Sequence, residues 1–259
     1  MEHRDTATAA RVATALTGLA QPIAVGDTTL VGWWTAQESE SYEPTTAMGG
    51  HANLGMAHGL PGPLSMLALA WAGGVRVPGQ PDAMATMARW LMEQRRTDAV
   101  GSCWPVARTY GDDPVSTRPS WCYGAPAIGM ALHHVGAALE VGEWRDTGLD
   151  AVRAAVSRPH GLRSAGLCHG LAGLLHVVHR MAVQTGDETL WSSLPGLAAE
   201  LAQKMTDFRL DRAAGPAEWD GINDDMGFLT GIAGAALALH TYATGAEPRT
   251  RWDRALLLA

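Results

Sequence analysis

Cysteine is scarce. The 259-residue chain has three, Cys103, Cys122 and Cys168, too few and odd in number for a disulfide framework, so the thiols read as reduced and the chain as cytoplasmic. An excess of positive charge is also missing: 19 basic residues against 26 acidic ones leave a formal charge of -7, which gives no footprint for nucleic acid or anionic lipid. No apolar run approaches the ~18 residues that a membrane span needs. The N-terminal MEHRDTATAARVATAL carries Glu2, Arg4 and Asp5 with no apolar stretch of signal-peptide type behind them. Val and Ile are sparse and period-two alternation is hard to find, which counts against a strand-based fold. What is plentiful is apolar surface. At 47% apolar and 17% charged residues, burial can offset the entropy of ordering, and disorder is excluded.

Four segments repeat one pattern: AHGLPGPLSMLALA from Ala57, CYGAPAIGMALHHV from Cys122, CHGLAGLLHVVHRM from Cys168 and LTGIAGAALALHTY from Leu229. Aligned on Gly59, Gly124, Gly170 and Gly231, they stand 65, 46 and 61 residues apart, a loose period. The runs behind these glycines are apolar on nearly every face and read as buried helices. Between them lie one-sided segments. In one, Met84, Met87, Ala88, Leu91 and Met92 oppose Arg89, Glu93, Gln94 and Arg96, with Asp82 as a plausible N-cap. Leu149, Val152 and Val156 make a second, and Leu194, Leu197, Ala198, Leu201 and Met205 a third. Alternation of the two kinds describes an all-α fold, helical hairpins side by side with an inner and an outer layer, in a single domain over residues 1–259. Thr6 to Leu19, with Val12, Ala15, Leu16 and Leu19 on one side, reads as an outer helix without an inner partner.

If the four glycines mark one place in each repeat, the residues just before them gather at the N-terminal mouths of the inner helices. Those residues are Ala57 and His58, Cys122 and Tyr123, Cys168 and His169, and Leu229 and Thr230. Two of three cysteines share this register. Cys122, Cys168 and His169 form a soft ligand set suited to Zn²⁺, and three protein ligands leave one tetrahedral position open, as in catalytic sites. A thiol entering that position would lose its proton, so the set suits thiolate activation better than water activation. His58 shares the register of His169, and the residues alone leave a catalytic and a structural role open for it. Arg118, Asp224 and Asp225 read by themselves as solvated, loop or cap residues. Cys103 reads as a small core hydrophobe, and His51, His133, His134, His160, His176, His179 and His240 as core or capping residues.

The AHG of Ala57–Gly59, the WCYG of Trp121–Gly124, the CHG of Cys168–Gly170 and the GIAG of Gly231–Gly234, with a weaker element at Gly32, Trp33 and Trp34, resemble the lanthionine synthetase C-like family of lantibiotic cyclases. The resemblance runs from about Gly32 to Leu258. It implies an α/α toroid of two concentric helix layers with zinc at the central opening, held by Cys122, Cys168 and His169. By the same likeness His58 is the acid/base histidine, Arg118 an active-site arginine, and Tyr123 a substrate-binding residue. The implied reaction is Michael addition of a precursor peptide's cysteine thiolate to a dehydroalanine or dehydrobutyrine, giving a thioether ring. The dehydrated precursor peptide is then the partner, with a dehydratase or transporter as further ones.

The family carries further hairpins before the AHG repeat, including a catalytic aspartate with no counterpart here, so the expected ring is incomplete. Two other readings follow. The chain could be a non-catalytic zinc-containing peptide-binding module or degenerate fragment. A toroidal glycoside hydrolase would instead need two carboxylates across the cleft, where these mouths offer cysteine and histidine.

Overall fold

The computed structural model describes residues 6–36, 49–109, 119–158, 161–214 and 226–259, with the backbone alone over 207–214. Eight helices dominate it: α1 Thr6–Gly18, α2 Pro61–Ala72, α3 Gln80–Glu93, α4 Ala125–Ala138, α5 Gly142–Val156, α6 Leu171–Thr185, α7 Glu188–Ala214 and α8 Ile232–Thr244. The all-α expectation holds, and the strands are short pieces in the connections. β1 Ile23–Val25 pairs with β2 Thr28–Leu30, β5 Arg96–Thr97 pairs with β6 Ser102–Cys103, and β3 Trp34–Thr35, β4 His51–Asn53 and β7 Ala107–Arg108 form one small antiparallel sheet. No helix among the described residues is long and apolar enough to cross a membrane.

The two layers follow from composition. α2, α4, α6 and α8 begin behind the four repeat glycines and pack on one another in that order, while α3, α5 and α7 cover them from outside. Every residue of α6 from Leu171 to Ala182 is buried, the ionisable His176, His179 and Arg180 included. In α3 only one stripe is buried: Met84, Met87, Ala88 and Leu91 face in, and Arg89 and Glu93 face solvent. Gln80, fully buried, ties the layers together. Its amide donates to the Leu67 carbonyl at 3.0 Å and accepts from the Val77 N–H at 3.0 Å.

Several expectations are corrected. Asp82 lies in the first turn of α3 and does not cap it; Gly79, with φ of 74°, is the cap residue, and Pro in the first turn lets the helix start there. α1 packs on α2 and α3. It does so through Ala13, with Leu16 and Leu19, while Val12 and Ala15 face outward, because small alanine rather than valine allows close approach to two helices. Cys103 is half-buried in β6 and His240 is exposed on α8, so neither is a core residue. His160, Asp224 and Asp225 lie outside the described residues.

Behind Gly59, Gly170 and Gly231 the chain doubles back on its own helix. A β-carbon on Gly173 would sit 2.0 Å from the Leu167 carbonyl oxygen, and one on Gly234 the same distance from that of Phe228. The residue six positions earlier therefore rests on the first helical turn, which bends each loop over the helix end and brings the residues before the glycines to the mouth. A 3-10 helix over Trp252–Leu256 packs against the side of α6 and against Trp121, the residue before Cys122. There the Trp121 indole N–H donates to the Leu256 carbonyl at 2.9 Å, and Asp253 meets His176 at 3.3 Å and Arg180 at 3.6 Å. Burial pushes the His176 imidazole down, so it faces the Asp253 carboxylate as a neutral ring.

Candidate metal centre

Gly124, Gly170 and Gly231 are the N-cap residues of α4, α6 and α8, so the repeat register is a structural register. Successive mouths are stitched by backbone. The Cys122 N–H donates to the Cys168 carbonyl at 2.9 Å, and the Cys168 N–H to the Leu229 carbonyl at 2.8 Å. These three residues each stand two before their glycine, and the stitching sets the two cysteines side by side.

The thiols of Cys122 and Cys168 and one ring nitrogen of His169 all lie within 4.8 Å of one another. Among the described residues this is the single group of His, Cys, Asp or Glu able to hold a metal ion. Metal bonds of about 2.0–2.3 Å put tetrahedral ligand atoms roughly 3.5 Å apart, a separation these atoms reach by small side-chain shifts. Cys122 is buried, Cys168 and His169 half-buried, which leaves the site open on one side.

The electrostatics favour a thiolate at Cys122. The Cys168 thiol hydrogen-bonds it, and despite the opposing effect of burial, the Ser120 hydroxyl at 3.5 Å and nearby backbone N–H groups help bring it down to about 7. Cys168 is pushed up because its proton is shared with Cys122 and its surroundings are desolvated. The Tyr123 carbonyl lies 2.7 Å from the same Ser120 Oγ and competes with Cys122 for its single proton.

His58, exposed in the loop before α2, stacks near Tyr123 with ring centroids 6.3 Å apart and planes at 27°. The structure thus brings His58 near Tyr123, the residue that follows Cys122 in the chain. Arg118 lies outside the described residues. Sequence reasoning missed Asn53, whose amide donates to the Tyr123 phenol at 3.0 Å, as well as Ser120. A signal for Asn53 existed: it stands six residues before Gly59, as Ser164 stands six before Gly170.

Comparison with known proteins gives the context. The family model for lanthionine synthetase C-like proteins matches residues 28–257. The nisin biosynthesis protein NisC of Lactococcus lactis subsp. lactis is 27% identical over 218 residues, covering 81% of this chain and 49% of that protein. The chain thus spans about half the length of this curated relative. The solved structure of nisin cyclase superposes with a TM-score of 0.81 at 21% identity, over 99% of this chain and 62% of that one, so the two-layer arrangement is a helical toroid fold of the same kind. A match across nearly the whole chain and a shared fold lead to one assignment: the chain belongs to the lanthionine synthetase C-like family.

Proposed function

We propose that this chain is a zinc-dependent peptide cyclase that forms lanthionine or methyllanthionine rings, adding a cysteine thiol of a dehydrated precursor peptide to a dehydroamino acid. The observation that carries this reading is the gathering of Cys122, Cys168 and His169 within 4.8 Å at a mouth that also holds His58 and Tyr123. The donor set fits zinc, with soft sulfur and imidazole ligands and an open side. When bound, zinc supplies Lewis acidity that ionises an incoming thiol at neutral pH.

The chain's own residues do the rest. Cys122, Cys168 and His169 hold the ion. His58, exposed and stacked near Tyr123, takes the thiol proton and returns one to the α-carbon once sulfur has added to the β-carbon, so the ring forms with no change in mass. Tyr123 orients the dehydroamino acid from the neighbouring wall. Holding thiol and alkene in one mouth makes the addition effectively unimolecular.

Ring closure consumes a thiol, so the test is alkylation of a dehydrated precursor after incubation with the zinc-loaded chain. A cyclase leaves no alkylatable thiol; a thiol that stays free despite bound zinc overturns the reading. The second reading, a module that grips peptide thiols without closing rings, has one observation in its favour. Ala233, Ala236, His240 and Ala243 leave a flank of α8 exposed, so the described inner helices line an arc with one uncovered edge. Retention of the peptide without loss of its thiol supports that module.

A further inference from the structure

Asn53 ends β4 and opens the loop that carries His58. Its side-chain oxygen accepts the Gly55 N–H at 2.7 Å, and its backbone carbonyl accepts the Leu60 N–H at 3.0 Å. Ser164, at the same place before α6, makes the matching pair of bonds: its hydroxyl accepts from the Gly166 N–H at 3.1 Å and its carbonyl from the Leu171 N–H at 2.9 Å. Serine therefore suffices for the turn. Asparagine adds a second arm, and that arm reaches Tyr123 Oη at 3.0 Å.

The direction of this bond is fixed by the first. Gly55 N–H can only donate, so the amide oxygen faces Gly55 and the amide NH₂ faces the phenol. The phenol oxygen then accepts, and Asn53 cannot take the phenolic proton. Among the described residues no other hydrogen-bond partner of the Tyr123 hydroxyl is present. The ring is also held in place. A β-carbon on Gly55 would lie 2.5 Å from Tyr123 Cε1, so the backbone of this turn lies directly against the ring on one side, and His58 stacks near it.

We propose that Asn53 is a positioning residue that sets the polarity of Tyr123, so that the phenolic O–H donates to the carbonyl oxygen of the substrate's dehydroamino acid. This rests on the cyclase reading. As the S–Cβ bond forms, the Cα=Cβ electron pair moves toward that carbonyl, and the negative charge develops on the oxygen that Tyr123 contacts. The thiol proton ends on the α-carbon, and Tyr123 keeps its own. A donor held by Asn53 before substrate arrives needs no reorganisation as the charge appears.

Two variants separate turn from polarity. Asn53→Ser keeps the turn, as Ser164 does, and loses the phenol contact. Asn53→Asp also keeps the turn, but its second oxygen accepts a hydrogen bond from the phenolic O–H and so reverses the bond. The tyrosine Fermi doublet in ultraviolet resonance Raman reports whether a phenol accepts or donates, and subtracting the Tyr123→Phe spectrum isolates Tyr123 from the other three tyrosines. The expected signal is acceptor-type in wild type and donor-type in Asn53→Asp. In ring closure, Asn53→Asp should lose about 10²-fold in kcat with KM unchanged, Asn53→Ser less, and Asn53→Asp/Tyr123→Phe no more than Tyr123→Phe alone. A doublet that ignores Asn53→Asp, or additive losses in the double variant, overturns the role of Asn53 while the cyclase reading stands. A wild type that closes no ring overturns the cyclase reading and the substrate half of this inference, and the Raman difference still decides whether Asn53 sets the phenol's polarity.

Discussion

The backbone N–H of Cys122 donates to the carbonyl oxygen of Cys168 across 2.9 Å, joining residues 46 positions apart in sequence and two positions from their helix-capping glycines. Because main chain does the joining, the two sulfurs are brought together without help from an ion. A ligand pair held this way loses little loop entropy when a metal binds. Below it, Trp121 Nε1 bonds the Leu256 carbonyl, so the C-terminal turn braces the residue next to the first ligand.

Replacing His58 with alanine should separate metal from chemistry. The imidazole stands beside Tyr123 and outside the Cys122, Cys168 and His169 cluster. His58→Ala should therefore keep one zinc per chain while ring formation falls about 10²–10⁴-fold. Zinc content by mass spectrometry, read alongside thiol alkylation, checks this; loss of zinc in His58→Ala would make His58 a ligand.

The mouths were legible in the sequence because one constraint recurs. At Gly59 and Gly170 a β-carbon would lie 2.2 and 2.4 Å from the carbonyl oxygen six positions earlier, so glycine lets the loop rest on the helix there, and four copies in one register point to four related loops. The three ligand candidates and His58 followed from that register. The bond of Asn53 to Tyr123 did not, since it joins residues 70 positions apart in different repeats and no periodicity couples them. The face of α1 was misread because Ala13, buried against α2 and α3, carries less hydrophobic signal than Val12, which faces solvent.

The same glycine-to-alanine change should have opposite signs at two positions. At Gly173 the new methyl meets the Leu167 backbone at 2.0 Å, and that loop leads into Cys168, so Gly173→Ala should destabilise by about 2–3 kcal/mol and weaken metal binding. At Gly196, exposed within α7, nothing lies within 4 Å, and Gly196→Ala should stabilise by ~0.5–1 kcal/mol through lower backbone entropy in the unfolded chain. Urea unfolding of both variants measures the two signs.

Asp98 gives a pH-dependent contribution. Arg158 hydrogen-bonds its carboxylate, as do the Val100 and Gly101 N–H groups at 2.9 and 3.2 Å, and they hold it at about 2 against an ordinary 3.8. A carboxylate lowered on folding favours the folded state when ionised, so its contribution is complete above about pH 3.8 and disappears as pH falls through about 2. Asp98→Asn should thus melt below wild type at neutral pH, with the gap closing across that acid window. A gap independent of pH would show that the carboxylate charge is not what holds this loop to the end of α5.

The metal site itself is tested by X-ray absorption at the zinc edge on the chain loaded with one equivalent of zinc. The expected spectrum has two sulfurs at about 2.3 Å and imidazole nitrogen at about 2.0 Å, with a fourth, exchangeable light scatterer that a small added thiol replaces by a third sulfur. A shell without sulfur, or one unchanged in Cys122→Ala and Cys168→Ala, would contradict the site.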